Sequence, residues 1–296
     1  MQSQTLILRT DDGRDLDVVI DGPADGPVLV FHSGTPSGAV SFPLLSEPAA
    51  ARALRTVTWS RPGYGASTSQ PGRTVASVAA DTEAVLRHLG VEEFVTLGWS
   101  GGGPHALACA ARLPGRCRAA ALIGGVAPYD ADGFDWLAGM GAENLEEFAA
   151  AAAGTEALEA FLAPTRDGLA GVSSDGVVAG LGDLVDEVDR AAAKGELADL
   201  LAASMRQAMA AGTDGWRDDD LAFVGDWGVD LSSIACPVTI WQGGHDRMVP
   251  DSHGRWLAAH IPGATLQLDP DEGHLSLIHR AAEILDDLLS AQATAA

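Results

Sequence analysis

The chain has 296 residues, and 41 acidic against 18 basic side chains leave it at a formal −23. A surface this acidic repels phosphate backbones and anionic headgroups, so neither nucleic acid nor a membrane is expected as a partner, and a small-molecule substrate is. At 47% hydrophobic and 20% charged residues the chain can bury a sizeable core. The amino terminus carries no basic segment followed by an apolar run, and the longest apolar stretch, around Ala119–Ala127, is half a membrane span; a cytoplasmic protein is expected. Cys109, Cys117 and Cys236 lack metal-ligand spacing and read as reduced thiols.

In chain order, Thr5–Thr10 and Asp15–Ile20 flank Asp11-Asp12-Gly13, the pattern of a hairpin. Pro27–Phe31 is a continuous apolar run, the mark of a strand buried on both faces, and Leu54–Trp59, Glu93–Leu97 and Ala119–Ile123 repeat it. Helices are predicted over Thr74–Leu89 and Gly101–Arg112. Two further strands, Pro237–Trp241 and Ala264–Leu268, precede a closing amphipathic helix over His274–Leu289. Strands alternating with helices of this length imply an α/β fold with a mostly parallel, doubly covered sheet of eight strands.

The alternation stops between Pro128 and Gly225. That stretch has no convincing strand and holds twenty acidic and five basic residues, fifteen of the 23 net negative charges. It reads as a helical subdomain inserted into a core formed by residues 1–127 and 226–296, with its charge on a solvated outer face. Its apolar residues Phe134, Trp136, Met140, Phe148, Phe161, Met205, Met209, Trp216 and Phe223 are expected to pack on the core, a few of them lining a pocket.

Gly98-Trp99-Ser100-Gly101-Gly102 lies directly after the strand FVTL and directly before a helix. An abrupt strand-to-helix turn leaves no room for side chains two residues either side of its serine, and it projects the hydroxyl above the sheet, over a helix N-terminus. Such a serine is a nucleophile only beside a base, which in turn needs an orienting carboxylate. Asp246 follows the strand Pro237–Trp241, and His274 follows Leu266-Gln267-Leu268; both therefore belong to the sheet edge that carries Ser100. Asp130, after the strand ending at Ile123, is the rival acid. His105 reads as a packed helix residue, and no residue set implies a metal or a cofactor.

These features resemble the α/β-hydrolase-fold serine hydrolases. The likeness rests on the Gly98–Gly102 elbow, the Gly-x-x-Asp-x-x-Val-Pro run at Gly243–Pro250, Gly273-His274, the Arg61–Ser67 loop and the Cys236-Pro237 lead-in. It implies a Ser100–His274–Asp246 triad and a cap formed by residues 128–225. It also implies an oxyanion hole made by the backbone N–H groups of Thr35 and Gly101, with Ser33 standing where the family usually has a histidine. Trp99, His32, Trp136 and His245 are the pocket-lining candidates. The activity implied is hydrolysis of a carboxylic ester or lactone, or of a thioester, through an acyl-enzyme. C–C bond hydrolysis, amide or peptide hydrolysis, acyl transfer or cyclisation, and a binding-only role remain open alternatives.

Overall fold

The computed structural model describes residues 3–294. Among these, eight strands form one sheet: β1 (Gln4–Arg9), β2 (Asp15–Asp21), β3 (Val28–His32), β4 (Arg55–Trp59), β5 (Phe94–Trp99), β6 (Cys117–Ile123), β7 (Val238–Gly243) and β8 (Thr265–Asp269). Their spatial order is β1-β2-β4-β3-β5-β6-β7-β8. β2 runs antiparallel to both its neighbours, and every pair from β4 to β8 is parallel. The β1–β2 turn closes where Gly13 adopts φ 83° and donates to the Thr10 carbonyl at 3.0 Å.

The helices are α1 (Pro43–Ala51), α2 (Val78–His88), α3 (Gly102–Arg112), α4 (Ala142–Ala153), α5 (Thr155–Ala170), α6 (Ser174–Gly180), α7 (Glu187–Ala192), α8 (Glu196–Ala208), α9 (Asp214–Val224), α10 (Asp251–His260) and α11 (Ala281–Thr294). Side chains alternate across β3: Val28 and Val30 join one apolar cluster with Val85, Leu107 and Leu257, while Leu29 and Phe31 join another with Leu45, Ile284 and Leu288. Helices α2, α3 and α10 thus cover one face, and α1 and α11 the other. This is why β3 is apolar throughout instead of alternating with polar residues.

Helices α4–α9 all lie between β6 and β7 in sequence. The predicted helix over Thr74–Leu89 opens as a 3-10 turn, Val75–Ser77, where Thr74 N–H donates to Ser77 Oγ at 3.0 Å, and α2 begins only at Val78. The closing helix likewise starts later than its periodicity suggests. His274 precedes a 3-10 turn, Ser276–Arg280, and α11 begins at Ala281. Helices α1 and α10 carry too little amphipathic signal to be read from sequence, since each buries only three residues. No helix among the described residues is long and apolar enough to cross a membrane.

The parallel order turns back at β3: β4 pairs on one side of it and β5 on the other. A crevice opens outside the carboxyl ends of strands at such a switch point. The loops that leave β3 and β5 there carry Thr35 and Ser100.

Candidate active site

Ser100 sits between β5 and α3 with φ 55°, one of two non-glycine residues with a left-handed backbone among those described. Such a conformation costs on the order of 1–3 kcal/mol and persists only where its surroundings enforce it. Here Ser100 N–H donates to the Ile123 carbonyl at 2.8 Å, tying the turn to β6. The flanking glycines are obligatory. A Cβ on Gly98 would lie 2.3 Å from the Gly102 oxygen, and one on Gly102 would lie 1.9 Å from the His32 oxygen.

His274 and Asp246 meet beside this turn. His274 Nδ1 lies 2.8 Å from Asp246 Oδ2, and both residues are buried. The remaining Asp246 oxygen accepts the Met248 and Val249 N–H groups at 3.0 and 2.7 Å, so the carboxylate cannot rotate away. Gln242 Nε2 also donates to Oδ2, at 3.1 Å. Gly124, at φ 53°, leaves the space the pair needs; a Cβ there would lie 2.9 Å from His274 Nδ1. Burial pulls the imidazole pKa down, but the Asp246 charge and hydrogen bond outweigh it, and His274 titrates above its ordinary 6.5. With Nδ1 engaged, Nε2 is the free ring nitrogen, and His274 lines the same cavity as Ser100. A His274–Ser100 hydrogen bond is not among those of the described residues.

Thr35 and Gly101 are adjacent: a Cβ on Gly101 would lie 2.5 Å from Thr35 Oγ1. Neither backbone N–H has a protein acceptor among the described residues. The Thr35 loop is pinned from outside the core. Asp219 of α9, fully buried, accepts Thr35 Oγ1 at 2.8 Å, Tyr64 Oη at 3.0 Å and Arg61 Nη2 at 2.6 Å, and pairs with Arg73 Nη1 at 2.7 Å. Arg61 completes the clamp by donating to the carbonyls of Ser33 (2.7 Å) and Gly34 (2.8 Å). Burial alone would raise the Asp219 pKa, yet Arg61 and Arg73 hold it well below the ordinary 3.8. Ser33 therefore needs no histidine's ring, because a guanidinium holds the loop.

A second carboxylate from the helical segment secures the other side. Asp189 of α7, fully buried, accepts the N–H groups of His274 (2.8 Å), Leu275 (2.8 Å) and Ser276 (2.9 Å). These bonds fix the backbone of the loop that carries His274, ahead of the 3-10 turn Ser276–Arg280. Sequence reasoning missed both aspartates, which lie among twenty acidic residues of one stretch. The one available signal was Arg61, a basic residue in a chain with only 18, two residues after β4 at the sheet edge that carries Ser100.

Of the pocket-lining candidates, Trp99 lines the cavity and stacks on His274 with ring centroids 6.2 Å apart. The other three are corrected. His32 is the third residue of the α3-facing side of β3; it packs on Trp59 at 5.3 Å beneath α3, and burial holds it well below its ordinary pKa. Trp136 stands behind Phe148, edge-on at 4.5 Å, and donates to the Ala127 carbonyl at 2.7 Å. His245 is solvent-exposed and pairs with Asp186 at 2.6 Å, turned away from its neighbour Asp246. Asp130 is exposed and makes no contact with His274 among the described residues. His105 is buried in α3 and held down to about 4 by desolvation; its Nε2 lies 3.6 Å from Asp219, too far for a hydrogen bond.

The cavity above Ser100 has a volume of about 180 Å³. Its wall from the helical segment includes Phe148, Met205, Trp216 and Phe223, so four of the nine apolar residues noted there reach it.

Comparison with known proteins agrees with this architecture. The family model described as the α/β hydrolase fold matches residues 26–159. The chain is 31% identical over 274 residues to the magnesium-chelatase 30 kDa subunit of Rhodobacter capsulatus, covering 90% of this chain and 86% of that one. A bifunctional esterase/perhydrolase of Acinetobacter calcoaceticus is 35% identical over 121 residues, 40% of this chain and 44% of the relative. Among solved structures, an esterase from Exiguobacterium antarcticum superposes with a TM-score of 0.72 at 19% identity, covering 98% of this chain and all of that one. With its eight-stranded sheet, its serine turn and these relatives, the chain belongs to the α/β-hydrolase fold family.

Proposed function

We propose that the protein is a serine hydrolase that cleaves a carboxylic ester or lactone through an acyl-enzyme on Ser100. The single observation that carries the reading is the strained Ser100 turn facing the same cavity as a buried His274–Asp246 pair. His274 Nε2 accepts the hydroxyl proton as Ser100 Oγ adds to the substrate carbonyl, while Asp246 holds the imidazole tautomer and stabilises the imidazolium. The negative charge moves to the carbonyl oxygen, where the free N–H groups of Thr35 and Gly101 receive it. Collapse of the tetrahedral intermediate expels the alcohol, protonated by His274. Water then enters by the reverse sequence and releases the acid.

The segment 128–225 acts in this reading as a cap whose aromatic wall selects the acyl group. The esterase name of the Acinetobacter relative and the apolar cavity wall support an oxygen ester over a charged phosphoester. A non-hydrolytic binding role is the second reading, because the relative matched along most of its length is named a chelatase subunit. Intact-mass analysis after fluorophosphonate treatment separates the two. One adduct on wild type, none on Ser100→Ala, and a loss of short-chain ester turnover by roughly 10⁴ in that variant are expected of the hydrolase. No adduct and no turnover would leave the binding role.

A further inference from the structure

Two carboxyl groups in the cavity wall have no role in the chemistry above. Glu147 of α4 and Asp220 of α9 are both buried and both line the cavity that holds Ser100. Trp216 Nε1 donates to Glu147 Oε1 at 2.6 Å. Neither oxygen of Asp220 receives a donor from an N–H or hydroxyl group among the described residues, although the residue is fully buried; its polar neighbour is the Glu147 carboxyl, with which it shares a hydrogen bond when one of the two is protonated. A buried acceptor left unpaired costs about 1–3 kcal/mol, so the two carboxyls hold a proton between them until another donor replaces it. The cavity wall also contains Glu143 and no lysine or arginine among the described residues.

We infer that Glu147 and Asp220 form the recognition site for a cationic ammonium group on the substrate's acyl portion. This assignment names the substrate class of the ester hydrolase proposed above and rests on that reading for the scissile bond, though not for binding. An ammonium group would bring N–H donors to a carboxyl pair that otherwise has one indole N–H and a shared proton, and Trp216, Phe148 and Phe223 line the same cavity. A hydroxyl would satisfy one acceptor and neutralise nothing, and an anionic substrate would meet three carboxyls and no cation.

The charges around the pair favour proton exchange on binding. Glu147 is pushed up to about 7, first by burial and also by Glu143, against the Asp220 and Trp216 hydrogen bonds that lower it. Asp220 is raised well above the carboxylate range by burial, then by Glu147 and Asp219, with Arg73 opposing. Empty, the pair therefore keeps a proton near neutrality. An ammonium ion stabilises the ionised carboxylates, so its binding releases protons.

The test compares p-nitrophenyl esters of 6-aminohexanoic, heptanoic and 6-hydroxyhexanoic acids, which differ only at the chain end. At pH 7 kcat/KM for the ammonium ester is expected to exceed that for the heptanoate at least tenfold and that for the hydroxy ester by a similar factor. The ratio should collapse in Glu147→Gln and in Asp220→Asn. Equal kcat/KM for ammonium and methyl ends, equal values for ammonium and hydroxyl ends, or a preference retained in Glu147→Gln would each overturn the assignment. Calorimetry of wild type with hexylammonium, repeated in buffers of different ionisation enthalpy, is independent of turnover. Saturable binding with proton release is expected; no binding at millimolar hexylammonium, or binding without proton release, overturns the assignment even if no ester is hydrolysed.

Discussion

Asp189 and Asp219 come from the same acidic stretch as Glu147 and Asp220, and all four are buried, yet they meet opposite surroundings. The first two reach past the helices into the sheet edge, where three backbone N–H groups and two guanidinium groups await them. The second two face the cavity and find one indole N–H between them. A carboxylate with preorganised donors fixes a loop, and one without them keeps its proton and waits for a ligand. The stretch's fifteen surplus charges are therefore not one feature. Most face water, two rivet the helical segment to the loops that carry Thr35 and His274, and three line its cavity.

Substitutions at three of these sites, with Asp246 as the reference for a partnered carboxylate in the core, can break this contrast. Asp246→Asn is expected to have the largest effect, lowering kcat by roughly 10²–10⁴ because the imidazole loses its orienting charge. Asp130→Asn should stay within about twofold; the opposite ranking in ester turnover would move the acid to Asp130. Asp219→Asn comes next. It strands the buried Arg61 and Arg73, and urea denaturation should find a loss of about 3–5 kcal/mol. Asp189→Asn removes an acceptor from the three N–H groups around His274, with a smaller loss of about 1–3 kcal/mol and a fall in kcat at nearly constant KM. Glu147→Gln should cost the least. A Glu147→Gln loss as large as that of Asp219→Asn would mean the cavity pair is structural after all.

The pH dependence sharpens the same contrast. In the proposed mechanism the base must be neutral to accept the Ser100 proton, and His274 titrates above 6.5 because of Asp246. The acid limb of kcat/KM should therefore have its midpoint above 6.5, and Asp246→Asn should move it down. Glu147 bears on stability instead of turnover. Its folded pKa of about 7 lies above the ordinary 4.5, so the native state binds more protons and loses stability as pH rises between those values. Thermal melts of Glu147→Gln should show a shallower decline across that window.

What could be read from the chain was what is local. The elbow is legible because Gly98, Ser100 and Gly102 must satisfy a steric condition within five residues, between a strand and a helix that declare themselves by periodicity. Asp246 and His274 are legible for a related reason, since each lies in the loop after an apolar strand. His32 misled because it sits at the active edge, and only strand parity, with α3 covering that face, turns it into the core. Trp136 misled because sequence cannot tell a wall residue from the one packed behind it.

The sequence by itself determined the parallel sheet, the strained serine turn and the placing of Asp246 and His274 on the same sheet edge, because backbone sterics and hydrophobic periodicity act over short spans. Only the tertiary structure decided which of the acidic residues are buried and whether donors meet them there. Asp219 joins Thr35 across 184 residues and Arg61 across 158. A carboxylate's charge state depends on desolvation and neighbouring charge, and neither exists until the helices have closed over the sheet.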